Sequence, residues 1–173
     1  MKLTLTSILL LLTHFCFSQI DTSKTSFKKD NYKIEYPKTW RLDTSKFMGT
    51  EFLFFSPLEN EADKFSENVN GIIQDLSGQN IDLEKYKQIT DKQLSDMATD
   101  CKVFESSIIK KDSKEYFKTT YAMTQGKFRL KITSICFIKN DKAYLTTFSS
   151  ELDKYEQYKK VEEEILSSFW LTK

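Results

Sequence analysis

Four consecutive strand-like segments, separated by short turn signals, constrain the fold of this chain more than any other feature. The segments read CKVFESSIIKK, KEYFKTTYAMT, KFRLKITSICFIK and KAYLTTFSS, within residues 101–150. The pairs between them are typical of two-residue hairpin turns: Asp112-Ser113, Gln125-Gly126 and Asn140-Asp141. Because strands joined by such turns pair side by side, this part of the chain predicts a four-stranded antiparallel meander.

The stretch YKIEYPKTW predicts how the fold begins. Tyr32, Ile34 and Tyr36 alternate with charged residues, as in a half-buried strand. Pro37 has no N–H to donate to a sheet, so the strand should end there. Trp40 is then expected to fold back over the core. We interpret Tyr36, Pro37 and Trp40 as an opening motif of the fold and not as a recognition motif.

Two shorter segments before the meander also predict strands. They read TEFLFFSP, residues 50–57, and NVNGIIQDL, residues 68–76. The first contains an unbroken apolar run at Phe52–Phe55, and the meander contains another at Ile135–Ile138. Such runs indicate strands that are buried on both faces, so the sheet should be covered in part on both sides.

Two amphipathic helices are predicted, one before the meander and one after it. Residues 83–99 carry apolar residues at spacings of three and four, and Asp82 or Asn80 is placed to cap them. The second helix follows Ser150 and Asp153, which have the spacing of a capping box. Its apolar stripe comprises Leu152, Tyr155, Tyr158, Val161, Ile165, Leu166 and Phe169.

The order of these elements predicts the fold class. Strands, a helix, a meander and a second helix are typical of an α+β domain. We therefore expect a central antiparallel sheet of about six to seven strands with helices packed on it.

The N-terminal residues predict export. Residues 1–18 combine a lysine, a short apolar run and small residues, which is the pattern of a secretory signal peptide, with cleavage between Ser18 and Gln19. The apolar run is shorter than the roughly 20 residues that span a bilayer, and no other run in the mature chain is long enough. Residues 19–29 are polar and predict a flexible tail. Residues 30–173 then form a single domain, in a periplasmic or secreted protein.

Removal of residues 1–18 limits the chemistry of the mature chain. It takes away one lysine and the only histidine, His14, which leaves 25 basic and 25 acidic side chains. The absence of histidine from the mature chain excludes Ser-His-Asp and Cys-His catalysis and histidine-ligated metal sites. Arg41 and Arg129 are the only arginines and there is no basic block, so nucleic-acid binding is not predicted. No cofactor is predicted.

Two cysteines remain in the mature chain, Cys101 and Cys136. An oxidising compartment permits a disulfide between them. Cys136, however, follows the apolar alternation of a predicted strand, where a buried free thiol packs well. Whether Cys101 and Cys136 form a disulfide is therefore not decided by the sequence. Two cysteines without histidine do not make a structural zinc site.

Acidic residues offer two candidate sites, and a simpler reading exists for each. Glu59, Glu61 and Asp63 could bind calcium, but they lack the regular oxygen spacing and turn glycine of an EF-hand loop. A solvated loop is the better interpretation. Asp96 and Asp100 lie four residues apart, yet glycosidase pairs need a cleft with carboxylates on opposed faces. A solvated helix face explains them, as it does the EEE run at residues 162–164.

The sequence resembles the PsbP-like family over roughly residues 27–171. YKIEYPKTW resembles the family's opening strand and turn, NVNGIIQDL its strand before the first long helix, and ILSSFWL its final helix. The family includes extrinsic photosystem II subunits, a Ran-binding nuclear protein and bacterial envelope or secretion-accessory proteins. The resemblance implies an α-β-α sandwich around an antiparallel sheet, and an exported bacterial member that binds or assembles without catalysis. No family ligand motif is matched, so no site residue is carried over.

Three functions remain as hypotheses. The first is an exported, non-enzymatic, monomeric binding or accessory module that engages a protein or an envelope component. Exposed aromatics such as Phe47 and Tyr158 would then contact the partner. The second is a histidine-free hydrolase that uses carboxylates on a glycan or a peptide. The third is a carrier of a small apolar ligand, which predicts a cavity between the sheet and a helix.

Overall fold

The computed structural model describes residues 23–96, 100–111 and 113–172. The predicted signal peptide and its cleavage site between Ser18 and Gln19 lie outside these residues. In the described part of the chain, no helix has both the length and the apolar character that crossing a bilayer requires.

Ten strands and two α-helices make up the described part of the chain. The strands are β1 (Lys24–Lys29), β2 (Tyr32–Pro37), β3 (Arg41–Asp43), β4 (Phe52–Phe55), β5 (Asn68–Asp75), β6 (Lys102–Lys111), β7 (Lys114–Gln125), β8 (Phe128–Lys139), β9 (Lys142–Glu151) and β10 (Trp170–Leu171). The helices are α1 (Leu83–Asp96) and α2 (Tyr155–Ser168).

Seven strands form the central sheet, in the order β3-β4-β5-β9-β8-β7-β6, and all neighbours are antiparallel. The strands β6 to β9 are the predicted meander. The Asn140-Asp141 turn has positive φ at both residues, as a type I′ hairpin turn requires. The turn between β7 and β8 lies at Gly126-Lys127, one residue later than predicted, because Gln125 still pairs with Phe128.

The two helices cover opposite faces of this sheet. Ile135 and Phe137 of β8 pack in one core cluster with α2 residues. Cys136, between them, belongs to a second cluster against which Leu83 and Tyr86 of the α1 segment pack. Since neighbouring residues of a strand point to opposite faces, the α-β-α arrangement implied by the resemblance is confirmed, as is the predicted fold class.

A second, three-stranded sheet has the order β1-β2-β10. The predicted flexible tail is therefore wrong over Lys24–Lys29, which pairs with β2 along its full length. Phe27 is the only apolar residue of β1, and its ring lies 5.6 Å from that of Phe52 in the core. A strand with a single apolar residue gives no alternation, which is why the sequence pattern missed it.

The opening motif lies where the two sheets meet. Tyr36 is buried and stacks on Phe54 with ring centroids 4.0 Å apart. Strand β2 ends at Pro37, whose carbonyl accepts a 3.0 Å hydrogen bond from the Trp40 N–H. This turn brings the Trp40 ring over the core, where it is only 5% exposed and lies 6.4 Å from the ring of Phe148.

The helix ends differ in how well they were predicted. Asp82 caps α1, because its Oδ1 accepts a 2.8 Å hydrogen bond from the Lys85 N–H. The predicted capping box before α2 is wrong. Ser150 is a buried residue of β9, and the helix begins only at Tyr155. Strand alternation continues through Ser150, so the side chain points into the sheet's core and cannot cap a helix.

Candidate binding sites

Two apolar side chains stand out from the surface between β3 and β4. We name residues 46–49 the apolar tip. Phe47 is 63% exposed and Met48 is 83% exposed. The prediction of an exposed Phe47 is confirmed, whereas the same prediction for Tyr158 is wrong, because that residue of α2 is buried in the core.

The backbone of the apolar tip is strained. Lys46 and Met48 have φ of 62° and 52°, in the left-handed region, which costs a non-glycine residue roughly 1–2 kcal/mol. The turn is held by a 2.7 Å hydrogen bond from the Thr50 hydroxyl to the Phe47 carbonyl. The Gly49 N–H donates to the Lys46 carbonyl at 3.0 Å. Strain of this kind is concentrated at functional surfaces, so the tip is a candidate contact site.

A cleft of about 250 Å³ lies between α2 and strands β6, β7 and β8. We name it the α2 cleft. Its walls combine an apolar floor with a basic rim. The floor contains Tyr116, Ile135, Phe137, Leu166 and Phe169, and the rim contains Lys111, Lys114 and Lys118. The carrier hypothesis predicted a cavity between sheet and helix, and this cleft has that position, although its rim is charged.

The rim lysines differ in their partners. Lys118 forms an ion pair with Glu105, with Nζ 2.9 Å from the carboxylate. The Lys114 ammonium donates a 3.1 Å hydrogen bond to the Ser167 carbonyl and lies 4.8 Å from the centre of the Trp170 ring. Lys111 is exposed and forms no ion pair with any residue that the structure describes.

Glu162 lies at the α2 cleft and is only 3% exposed. The prediction of a solvated run at residues 162–164 is therefore wrong at its first position. Burial raises the pKa of the Glu162 carboxyl, and hydrogen bonding with Thr133 and Tyr155 opposes this in part. Its Oε2 atom has no hydrogen-bond partner among the described residues. Helical spacing would have found it, since it lies four residues after Tyr158, in the buried stripe.

A second buried carboxylate, Glu67, lies near the end of the acidic loop, residues 59–68, which is also held by ion pairs to Lys154. Glu67 is fully buried, burial raises its pKa, and it accepts a 3.2 Å hydrogen bond from the Ser56 hydroxyl. Lys154, just before α2, lies 3.6 Å from Glu59 and 3.2 Å from the buried Asp63. The predicted solvated loop is therefore wrong at Asp63 and Glu67. In the described part of the chain, no group of three or more acidic or cysteine residues is arranged to hold a metal ion.

Asp96 and Asp100 have separate partners. The Asp96 carboxylate pairs with Lys92 one turn earlier on α1, at 3.0 Å. Asp100 accepts hydrogen bonds from the Arg129 guanidinium at 2.8 Å and the Thr124 N–H at 2.9 Å. Asp100 thus joins strands β7 and β8, and Asp96 and Asp100 do not form a common acidic site.

Cys101 and Cys136 are both free thiols. Lys102, next to Cys101, pairs with Ala122, which in turn pairs with Lys131. Cys136 lies five residues beyond Lys131 on β8, and five residues of a strand span about 16 Å. A disulfide needs Cα atoms within about 7 Å, so the pairing that the sequence left open does not form.

A further cavity of about 210 Å³ lies between α1 and the other face of the sheet. Tyr86 and Cys136 are among its lining residues. The Tyr86 hydroxyl donates a 2.8 Å hydrogen bond to the Gln74 side chain. Burial raises the pKa of the Cys136 thiol to about 12, so the thiol stays protonated and unreactive.

Comparison with known proteins identifies the family. The family model for PsbP matches residues 23–171. The chain belongs to the PsbP family. The match includes β1, the opening motif, the apolar tip and the α2 cleft. A search of curated proteins gave no match.

Solved structures share the PsbP fold at low sequence identity. Cyanobacterial PsbP (CyanoP) from Synechocystis is 16% identical with a TM-score of 0.65, and the match covers 87% of this chain and 93% of that one. LpqN, involved in cell envelope biogenesis of Mycobacterium tuberculosis, is 12% identical with a TM-score of 0.61, covering 87% and 91%. The Ran-binding protein Mog1p of Saccharomyces cerevisiae is 10% identical with a TM-score of 0.58, covering 86% and 95%. At these identities the likeness establishes the fold alone.

The raised pKa of Glu162 predicts how stability depends on pH in this PsbP-family protein. The folded state holds the Glu162 proton more tightly than the unfolded state does. Protonation of Glu162 therefore stabilises the fold fully below the unfolded pKa, near 4.5, and this stabilisation is lost as pH rises through the folded pKa. Glu162→Gln keeps the shape without the charge. We expect the variant to melt at a higher temperature than the wild type at pH 8, with the difference vanishing at pH 4, by scanning calorimetry.

Glu163→Gln, at the exposed neighbouring position, is the matched control and should show no gain that depends on pH. A Glu162→Gln variant that melts lower than the wild type at pH 8 would contradict this account. It would mean that Lys118 and Lys131 stabilise the ionised carboxylate by more than its burial costs.

Proposed function

We propose that this PsbP-family chain is an exported, non-enzymatic binding module that engages a protein partner of the cell envelope through the apolar tip. The observation that carries the proposal is the exposure of Phe47 and Met48 on a turn with strained backbone. Aromatic and methionine side chains are enriched at protein interfaces. The signal-peptide pattern of residues 1–18 supports the compartment.

The surroundings of the tip favour a protein over a lipid surface. Its apolar part consists of two side chains, whereas interfacial helices bury a long apolar face. The flanking charges are mixed, with Arg41 and Lys46 basic and Asp43 and Glu51 acidic. Anionic membranes attract clusters of basic residues, and this segment has none.

The placement of the carboxylates supports binding without chemistry. A hydrolase that uses two carboxylates needs them on opposite sides of the bond to be cleaved. At the α2 cleft, Glu162 is buried and Glu163 is exposed, and both come from the same helix. Glu67, the other carboxylate with a raised pKa, does not line this cleft.

Site-specific photocrosslinking in the native host tests the proposal. A photoreactive phenylalanine analogue replaces Phe47 in the full chain, and in a control it replaces Leu58. Leu58 is 52% exposed and follows the other end of β4, so it matches the tip in exposure but not in place. We expect one protein to be crosslinked from position 47 and not from position 58, with the yield falling when Met48→Ser is added.

Equal crosslinking from both positions would contradict a specific contact at the tip. Crosslinks to lipid alone, or no crosslink from position 47, would also overturn the proposal.

A further inference from the structure

We infer that the α2 cleft binds a small organic carboxylate that carries one apolar group of about the size of an aromatic ring. The inference is independent of the apolar tip, since the cleft lies on α2 and strands β6 to β8, away from the turn between β3 and β4. It rests on the volume of the cleft, its floor, its rim charges and one polar atom without a partner.

The volume sets the size of the ligand. An engineered cavity of about 150 Å³ in another protein binds benzene, and the α2 cleft has about 250 Å³. Pockets for drug-sized ligands begin at roughly 300 Å³. The cleft therefore has room for one ring with a short substituent, but not for an extended lipid chain or a folded peptide.

The floor suits an aromatic or branched apolar group. The rings of Tyr116 and Phe137 lie 5.1 Å apart and are tilted, and Phe169 lies 5.6 Å beyond Phe137. Ile135 and Leu166, which are nearly fully buried, complete the floor. This continuous wall presents ring faces and edges, which favour a further ring through offset or edge contacts.

The rim supplies positive charge for the carboxylate. Three lysines line the cleft, against Glu162 and Glu163. Lys114 is bonded to carbonyls at the C-terminus of α2, so it offsets the negative end of the helix dipole that would otherwise repel an anion. Lys111 has no ion-pair partner among the described residues and is the cation that an incoming carboxylate would meet.

The carboxyl of Glu162 is a buried polar group in the lining of the cleft. The residue is more than nine-tenths buried, it lines the cleft, and its Oε2 has no hydrogen-bond partner among the described residues. Burial raises the pKa of this carboxyl, so it keeps its proton to a higher pH than an exposed glutamate does. In its protonated form this carboxyl can donate a hydrogen bond to an anion, which an apolar floor alone could not do.

Isothermal titration of the purified protein with three probes tests the inference. The probes are 3-phenylpropionate, its neutral amide 3-phenylpropionamide, and acetate. We expect 3-phenylpropionate to bind with a Kd on the order of 1 mM or tighter. The amide should bind at least about threefold more weakly, since it lacks the charge, and acetate should show no binding because it lacks the ring.

A pair of neighbouring lysines provides the matched variants. Lys111→Gln should weaken binding of 3-phenylpropionate at least about threefold and leave that of the amide unchanged. Lys110→Gln should change neither, because Lys110 pairs with Glu115 at 2.9 Å and does not line the cleft. Both lysines are exposed, so neither variant should affect folding.

Three outcomes would overturn the inference. One is the absence of 3-phenylpropionate binding up to 10-fold above the expected Kd. Another is equal affinity for the acid and the amide, which would make the cleft an apolar pocket without charge selection. The last is an equal loss in the two lysine variants, which would indicate general electrostatic attraction and not a site.

Discussion

Replacing Trp40 with alanine is expected to lower the free energy of unfolding by about 3 kcal/mol. The ring is 5% exposed and packs at the junction of the two sheets, beside Phe148. Its removal leaves a cavity, because a close-packed core relaxes only in part around a lost ring. Urea denaturation followed by circular dichroism measures the change.

Trp170→Ala is the matched control for this variant. Trp170 is 41% exposed and its ring contacts the Lys114 ammonium, so its loss should cost about 1 kcal/mol or less. If Trp40→Ala left the melting temperature unchanged and abolished partner binding, Trp40 would belong to a binding site and its interpretation as part of the opening motif would be wrong.

Gly71→Ala is expected to destabilise the protein by roughly 1–3 kcal/mol or more, although it adds only one methyl group. A Cβ atom at this position of β5 would lie 2.2 Å from Cε1 of Phe52 on the neighbouring strand. The Phe52 ring cannot retreat, because the rings of Tyr32 and Phe54 lie 5.9 and 4.8 Å from it. Thermal unfolding of the variant measures the effect.

A double variant separates this clash from other effects of losing a glycine. Phe52→Leu makes room, so Gly71→Ala should cost much less in the Phe52→Leu background than in the wild type. The coupling energy of the double-mutant cycle should therefore be at least about 1 kcal/mol. Additive effects of the two substitutions would show that Phe52 does not limit the space at Gly71.

The elements that were predicted well are those encoded by neighbouring residues. The meander needs only alternating residues and turn pairs, and Asn140-Asp141 forms the expected turn. The helix cap at Asp82 is likewise local. The burial of one face of β2 could be read from Tyr32, Ile34 and Tyr36, which alternate with charged residues.

What could not be predicted depends on residues far apart in the chain. Strand β1 is held by β2 and by the core contacts of Phe27, and β10 joins the same sheet from the end of the chain. The burial of Glu67 beside Lys154 and Tyr158 likewise depends on residues far along the chain. The exposure of Phe47 depends on the path of the chain between β3 and β4, whereas the burial of Tyr158 follows from its place in the apolar stripe of α2.

The most direct test of the proposed function is the affinity of the tip variant Phe47→Ser/Met48→Ser for the protein crosslinked at position 47, measured beside its melting temperature. We expect the Kd to rise at least tenfold, because exposed aromatic and methionine side chains supply the binding energy. The melting temperature should stay within about 2 °C of the wild type, and Leu58→Ser should change neither quantity. An unchanged Kd in the tip variant would contradict the proposal.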